Sequence, residues 1–317
     1  MFNKCIYHQE QKLITTPEEN NSNSKQVTYE QLIDNTYKVG KKIGSGSYGE
    51  IRIGKNVNTG HQVAIKFESL KIHDIQLIGE NQTYQLLQGK KGFPSVYYFG
   101  QYMGNNVMVM EILGPNLECL FNACGRRLTL KSIIFFTVQL LKRFEVIHQC
   151  RILYRDVKPE NFMLGINTNT VYIIDFGLSK SYIDSNGRHI PDKQTNELIG
   201  TSRYMSVRAH QCKEQSRRDD LEALAYVFIY FLRGKLPWSG LLINDFKQHN
   251  QTICHLKRDT PELELCAGFP QEYIFYLQYV RHLEFEEEPN YTKVCCMFKR
   301  LFHRQQFKND GHFDWNS

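Results

Sequence analysis

No stretch of these 317 residues is apolar for long enough to cross a bilayer. The most apolar run, Leu221 to Leu232, carries Glu222 and is too short. Residues 1 to 30 lack the apolar core of a secretory signal. Phe2 excludes myristoylation, and Asp314-Trp315-Asn316-Ser317 is no prenylation box. No membrane partner is expected. The nine cysteines lack metal-like spacing: Cys119 and Cys124 lie too far apart for a Cys-x-x-Cys pair, and Cys295 and Cys296 are adjacent. An odd cysteine count without a signal reads as reduced thiols, hence cytosol, nucleus or both. There is no ribonucleoprotein motif and no Cys/His finger, so the net charge of +6 reads as a mildly basic surface and no nucleic-acid partner is expected. Internal repeats are absent, and the polar tract Thr15 to Ser24 marks the one low-complexity region. The length suits one large domain or two packed lobes.

What is present begins with a mobile extension, expected over residues 1 to 35, and ends with a short tail, expected over residues 304 to 317. Between them, Tyr37 to Ile43 and Glu50 to Gly54 alternate as strands and flank Gly44-Ser45-Gly46-Ser47-Tyr48-Gly49. Such a hairpin can lay its amides over phosphates, because glycine lacks a Cβ. A strand follows the glycines, which argues against a dinucleotide site. The next strand, Val63 to Glu68, carries Lys66; fourteen residues on, Glu80 lies in a helical stretch expected from Ile72 to Leu87. An inward lysine needs a partner, and Glu80 can supply it; the plainer alternative is a solvated strand lysine. Val107 to Pro115 reads as a buried strand entering a turn. Met110 there fits either a pocket wall or simple core packing.

Thr129 to His148 has helical apolar spacing and leads into Tyr154-Arg155-Asp156-Val157-Lys158-Pro159-Glu160-Asn161. A short strand, Val171 to Ile174, then delivers Asp175-Phe176-Gly177. Asp156 can accept a proton from a hydroxyl, Lys158 can neutralise a phosphoryl group, and Asn161 and Asp175 can ligate Mg²⁺. This order is the protein-kinase signature, with Tyr154 where histidine is commoner. Gly177 to Tyr204 is polar and irregular, as a substrate-facing loop would be. Asp219 and Asp220 suit the start of a buried helix over Leu221 to Leu232, either as caps alone or with Asp220 reaching the catalytic loop. Further helices are expected near 243 to 256, 270 to 283 and 291 to 303.

Over residues 36 to 303 the chain resembles the casein kinase I family of eukaryotic Ser/Thr protein kinases. The resemblance is carried by Ile43 to Lys55, Val63 to Glu68, Leu113 to Phe121, Tyr154 to Phe162, Ile173 to Lys180 and, most specifically, Lys213 to Leu224 with Tyr230 to Trp238. It implies an α+β, bilobal fold: a small β-rich N-lobe over about 36 to 112, with one long helix, and a mainly helical C-lobe over about 113 to 303. It implies ATP and Mg²⁺ as cofactors. Ile43, Gly44, Gly46, Gly49, Ile51, Ala64, Lys66, Met110, Glu111 and Leu113 would contact the nucleotide. Lys66 and Glu80 would pair, Asp156 would be the base, Lys158 a phosphate contact, and Asn161 and Asp175 the metal ligands. Thr201 would hydrogen-bond near Asp156.

The resemblance also implies protein substrates with acidic or phosphorylated residues upstream of the target, read by Arg155, Lys180 and Arg203, and a monomer. The plainer alternative for each of those cations is a local ion pair. Four departures stand out: Asn196 and Leu242 where the family has lysines, Cys119 where it has aspartate, and Ser206-Val207-Arg208 where it has Ser-Ile-Asn. The usual Ala-Pro-Glu is missing, and with it the glutamate that pairs with an arginine in other kinases. A noncatalytic phosphopeptide-binding scaffold is therefore the alternative function, and a small-molecule kinase a third.

Overall fold

The computed structural model describes residues 31–46 and 49–316. The extension expected over 1 to 35 lies outside the described residues as far as residue 30, and so do Ser47 and Tyr48 of the glycine-rich turn.

Five strands form an antiparallel sheet: β1 (Tyr37–Gly46), β2 (Gly49–Asn56), β3 (Gln62–Ser69), β4 (Val96–Tyr102) and β5 (Asn105–Glu111), in the order β1-β2-β3-β5-β4. Residues directly opposite in an antiparallel pair share a face. Ile51, Lys66 and Met108 are opposite one another, as are Ile53, Ala64 and Met110, so these six share one face. Val63, Ile65, Phe67, Val107 and Val109 take the other face and form a separate small core with Ile33 and Tyr37. Alternation along β3 thus sends Lys66 away from that core.

Helix α1 (Leu77–Leu87) lies against β4 and β5. It starts five residues later than the apolar pattern suggests, and Glu68 explains why. Its buried carboxylate accepts the amides of Gln76 at 2.8 Å and Leu77 at 3.1 Å. Those are unpaired donors of a helix start, and the helix dipole favours an anion there.

The larger lobe contains α2 (Leu117–Ala123), α3 (Leu130–Gln149), the short strands β6 (Ile152–Leu153), β7 (Phe162–Leu164), β8 (Val171–Ile173) and β9 (Lys180–Ser181), and α4 (Val207–His210). It continues with α5 (Arg217–Arg233), α6 (Phe246–Asp259), α7 (Glu262–Leu265), α8 (Gln271–His282) and α9 (Tyr291–Arg304). Helix α5 is apolar all round after Glu222, and every residue from Arg218 to Phe231 is buried. Asp219 caps it by accepting the Ser216 amide at 2.8 Å. The sheet-rich and helical lobes give the bilobal protein-kinase fold.

The C-terminal residues do not hang free as a tail. Trp315 is 3% exposed and stacks on Phe136 at 4.7 Å, while Asp314 accepts the Thr129 amide at 2.8 Å. Aromatic burial and a helix-start bond fasten the segment to α3. No helix among the described residues is long and apolar enough to cross a membrane.

Candidate active site

The two lobes meet at a cleft of about 240 Å³ lined by Gly49, Ile51, Lys66, Asp156, Lys158, Asp175 and Thr201, with Gln76, Gly177, Leu178 and Gly200 between them. On the sheet side, Lys66 Nζ donates to Glu80 Oε2 at 2.6 Å and to Asp175 Oδ1 at 3.1 Å. Burial works against the Lys66 ammonium, but the two carboxylates outweigh it and hold its pKa above the ordinary lysine value. Burial pushes the Glu80 carboxyl up, and Lys66 beside it opposes that rise. The pair ties β3, α1 and the Asp175 turn together.

Asp175 adopts a left-handed backbone, φ 63°, uncommon for a residue with a Cβ. Its surroundings fix it there. The Asp175 amide donates to the Tyr84 hydroxyl at 3.1 Å. Phe176 is buried edge-on against Tyr84 at 5.1 Å and Tyr154 at 5.3 Å. Tyr154, the unusual residue of the signature, also donates its hydroxyl to the Ile174 carbonyl at 2.7 Å. A tyrosine here adds ring contact with Phe176 and a second anchor for the Asp175 strand.

On the helical side, Asp156 is 6% exposed and accepts from three side chains. Lys158 Nζ reaches Oδ2 at 2.6 Å, Asn161 Nδ2 reaches it at 3.2 Å, and Thr201 Oγ1 reaches Oδ1 at 2.8 Å. The loop is carried by Asp220 of α5, whose carboxylate accepts the Tyr154 and Arg155 amides, each at 2.8 Å. Asp220 is therefore more than a cap. Gly200, φ 114°, precedes Thr201, and a Cβ there would come within 2.8 Å of the Arg155 carbonyl. Only glycine allows the two loops to approach so closely.

The glycine-rich hairpin places Gly44 opposite Ile51 and Gly46 opposite Gly49. A Cβ on Gly49 would lie 1.7 Å from the Phe67 carbonyl, so β2 can cross β3 there only without a side chain. Ile43, on β1, is 44% exposed. Ala64 and Met110 sit opposite each other on the Lys66 face, and Met110 is buried among core residues, so its packing role is real. The Glu111 amide donates to the Ser95 carbonyl at 2.9 Å. Among the described residues nothing accepts the Leu113 amide. This connection between the lobes can therefore still offer an amide to a planar heterocycle.

The donor set fits a nucleotide with Mg²⁺. Asn161 spends its Nδ2 on Asp156, which leaves Oδ1 as an acceptor, and the Asp175 side chain is 42% exposed toward solvent. No group of three or more His, Cys, Asp or Glu side chains suited to a metal occurs among the described residues. Two oxygen donors suit Mg²⁺, which takes its remaining ligands from phosphates and water.

The three cations expected to read anions do not form one cluster. Lys180 pairs with buried Glu214 at 2.9 Å. Arg155 donates to the Leu178 carbonyl at 2.7 Å; burial lowers its pKa, against the carboxylates of Asp220 and Glu214. Lys180 matches the local-pair alternative, whereas Arg155 is held by a backbone carbonyl. Arg203 lies apart, over the rings of Tyr204 at 5.9 Å and Tyr230 at 6.0 Å. Burial works against its charge, but the neighbouring Tyr204 and Tyr230 prevail and raise its pKa.

Sequence reasoning gave Arg208 no role and left the missing glutamate without a substitute. The structure supplies one from α5. Buried Glu222 lies 3.7 Å from Arg281 and 3.9 Å from Arg208, and it accepts the Val207 amide at 3.2 Å. Glu68, Glu214 and Glu222 were all missed, because their partners lie far away in sequence and no local pattern marks them.

A protein kinase domain matches residues 37–281. Casein kinase I homolog 2 of Schizosaccharomyces pombe is 47% identical over 284 residues, or 88% of this chain. The chain spans 65% of that relative's length. With the lobes, the lysine–glutamate pair and the aspartate loop in place, the chain belongs to the protein kinases, and within them to the casein kinase I family.

Proposed function

We propose that this chain is an ATP-dependent Ser/Thr protein kinase acting on proteins with acidic or phosphorylated residues upstream of the target. The observation that carries the reading is the convergence on one cleft of Lys66–Glu80–Asp175 and Lys158–Asp156–Thr201. Lys66 would hold nucleotide phosphates, and Asn161 and Asp175 would hold Mg²⁺. Bound Mg²⁺ offsets charge on the phosphates and orients them. Asp156 accepts the proton of an incoming hydroxyl. Thr201 fixes the orientation of Asp156, and Lys158 supplies positive charge beside it. A reduced thiol complement motivates placing the protein in cytosol, nucleus or both, as a monomer.

The test is transfer of labelled γ-phosphate to casein. Transfer that requires Mg²⁺ is the expected result. Nucleotide binding without any transfer would favour the noncatalytic scaffold. The site argues against that scaffold, because Lys66, Asp156 and Asp175 are all kept, Lys66 bonded to Asp175 and Asp156 held by Lys158, Asn161 and Thr201.

The acidic preference rests on Arg203, since Lys180 is already paired with Glu214 and Arg155 with the Leu178 carbonyl. Arg203→Ala should lower kcat/KM about tenfold for a peptide phosphorylated three residues before its target, the loss of one charge-assisted contact. The loss on an unphosphorylated acidic peptide should be smaller. Equal losses on the two peptides would remove Arg203 from this role.

A further inference from the structure

The loop before α6 and the first residue of that helix carry two large apolar side chains in water. Leu242 is 99% exposed and Phe246 is 71% exposed. Single exposed apolar residues are ordinary, but here two are only four positions apart on one anchored loop-to-helix junction. Its anchors are on the acceptor-facing segment. Buried Trp238, at the loop's base, donates its indole N–H to the Arg203 carbonyl at 2.8 Å. Asn250 donates its side-chain amide to the Phe246 carbonyl at 2.8 Å and accepts from Ser202 Oγ at 2.5 Å. Lys257, from the same helix, donates to the Ser202 carbonyl at 2.8 Å. Ser202 adjoins Thr201, which bonds Asp156. Phe246 is therefore three hydrogen bonds and one peptide unit from the candidate base.

We infer that Leu242 and Phe246 form a substrate-docking shelf that takes a bulky apolar side chain from the residues upstream of the target. The inference rests on the kinase reading above and refines its substrate class. A reader of phosphate needs N–H donors around the anion. Among its cations this rim has Arg203 and the exposed Lys247, and between the exposed polar residues stand two side chains that cannot donate at all. The occupant that suits both is an extended substrate segment with an apolar residue next to an acidic one. Continuity with the acceptor-facing segment singles out substrate over any other apolar partner, because Ser202 and Arg203, which this junction holds, directly follow the threonine bonded to the candidate base.

The experiment uses the full chain and acidic acceptor peptides that differ in one upstream position, leucine or alanine, scanned over the five residues before the target serine. Turnover is measured, and so is binding, by fluorescence anisotropy of the labelled peptides. Leucine at one of these positions should raise kcat/KM and tighten binding about tenfold, as expected for covering most of one aliphatic side chain. Leu242→Lys with Phe246→Lys should abolish that gain and instead favour a phosphorylated peptide. Both positions are solvent-exposed, so the double variant should fold, and its melting temperature checks this. Leucine and alanine peptides that bind equally at all five positions would overturn the shelf, as would a gain that survives the double variant. Tighter binding of the leucine peptide with no turnover of any peptide would retain the shelf and overturn the kinase reading.

Discussion

Asp156→Asn is expected to lower kcat by about 10²- to 10⁴-fold, the usual contribution of a positioned general base. Nucleotide affinity should change little. The carboxylate contacts Lys158, Asn161 and Thr201, all on the helical side, whereas Lys66, Glu80 and Asp175 are held together on the sheet side. Asparagine keeps the volume and one acceptor oxygen, so Thr201 or Lys158 retains a partner and the loop stays folded. What it loses is the ability to take the hydroxyl proton. Titration calorimetry with a nonhydrolysable ATP analogue, beside initial-rate phosphate transfer, separates binding from chemistry. A variant that phosphorylates casein at the parent rate would remove Asp156 from the role of base. A variant that loses nucleotide affinity as steeply as rate would show that Asp156 orders the whole cleft.

Much of this cleft is legible in the chain because its chemistry is local. Asp156, Lys158 and Asn161 lie within six residues, and the alternation of β3 already directs Lys66 away from Ile65 and Phe67. The bilobal architecture follows from the same signals, a strand-rich first third and an apolar helix over 221 to 232. What could not be read depends on contacts between distant segments. The start of α1 is set by Glu68, which alternation alone marks only as a polar strand residue. The fate of Lys180 depends on Glu214, thirty-four residues later, and a lone lysine beside a catalytic loop looks the same whether it awaits a phosphate or already holds a carboxylate. Glu222 interrupts an apolar run and so looked like a flaw in a helix. It is the acid that Arg208 and Arg281 share. The C-terminal aromatics looked like the end of a tail because the surface that buries them, on α3, is invisible from residues 304 to 317 alone.

Asp220→Ala should be the most damaging single substitution away from the reacting groups, lowering stability by about 3–5 kcal/mol. Asp220 is 2% exposed, and its two oxygens accept three donors: the Tyr154 and Arg155 amides and His148 Nε2 at 2.9 Å. Alanine leaves all three buried without that partner, and each orphaned group costs roughly 1–3 kcal/mol. It also removes a negative charge from the first turn of α5, where the helix dipole favours one. Activity should fall as well, for a geometric reason. Arg155 sits at φ 66°, a conformation that costs on the order of 1–3 kcal/mol and persists only when its surroundings impose it. The bond from its amide to Asp220 is part of that imposition. Once released, Arg155 can relax and carry the adjoining Asp156 away from Thr201. The expected signature is a fall in kcat with KM for ATP nearly unchanged, because the Lys66 side of the cleft is untouched. Asp220→Asn, which keeps one acceptor oxygen, should fall between parent and alanine in both urea midpoint and kcat. Rates must be taken at a temperature where the urea curve shows the variant folded. An alanine variant within about 1 kcal/mol of the parent and of equal kcat would mean that the left-handed turn is held by Gly200 and the Leu178 carbonyl alone.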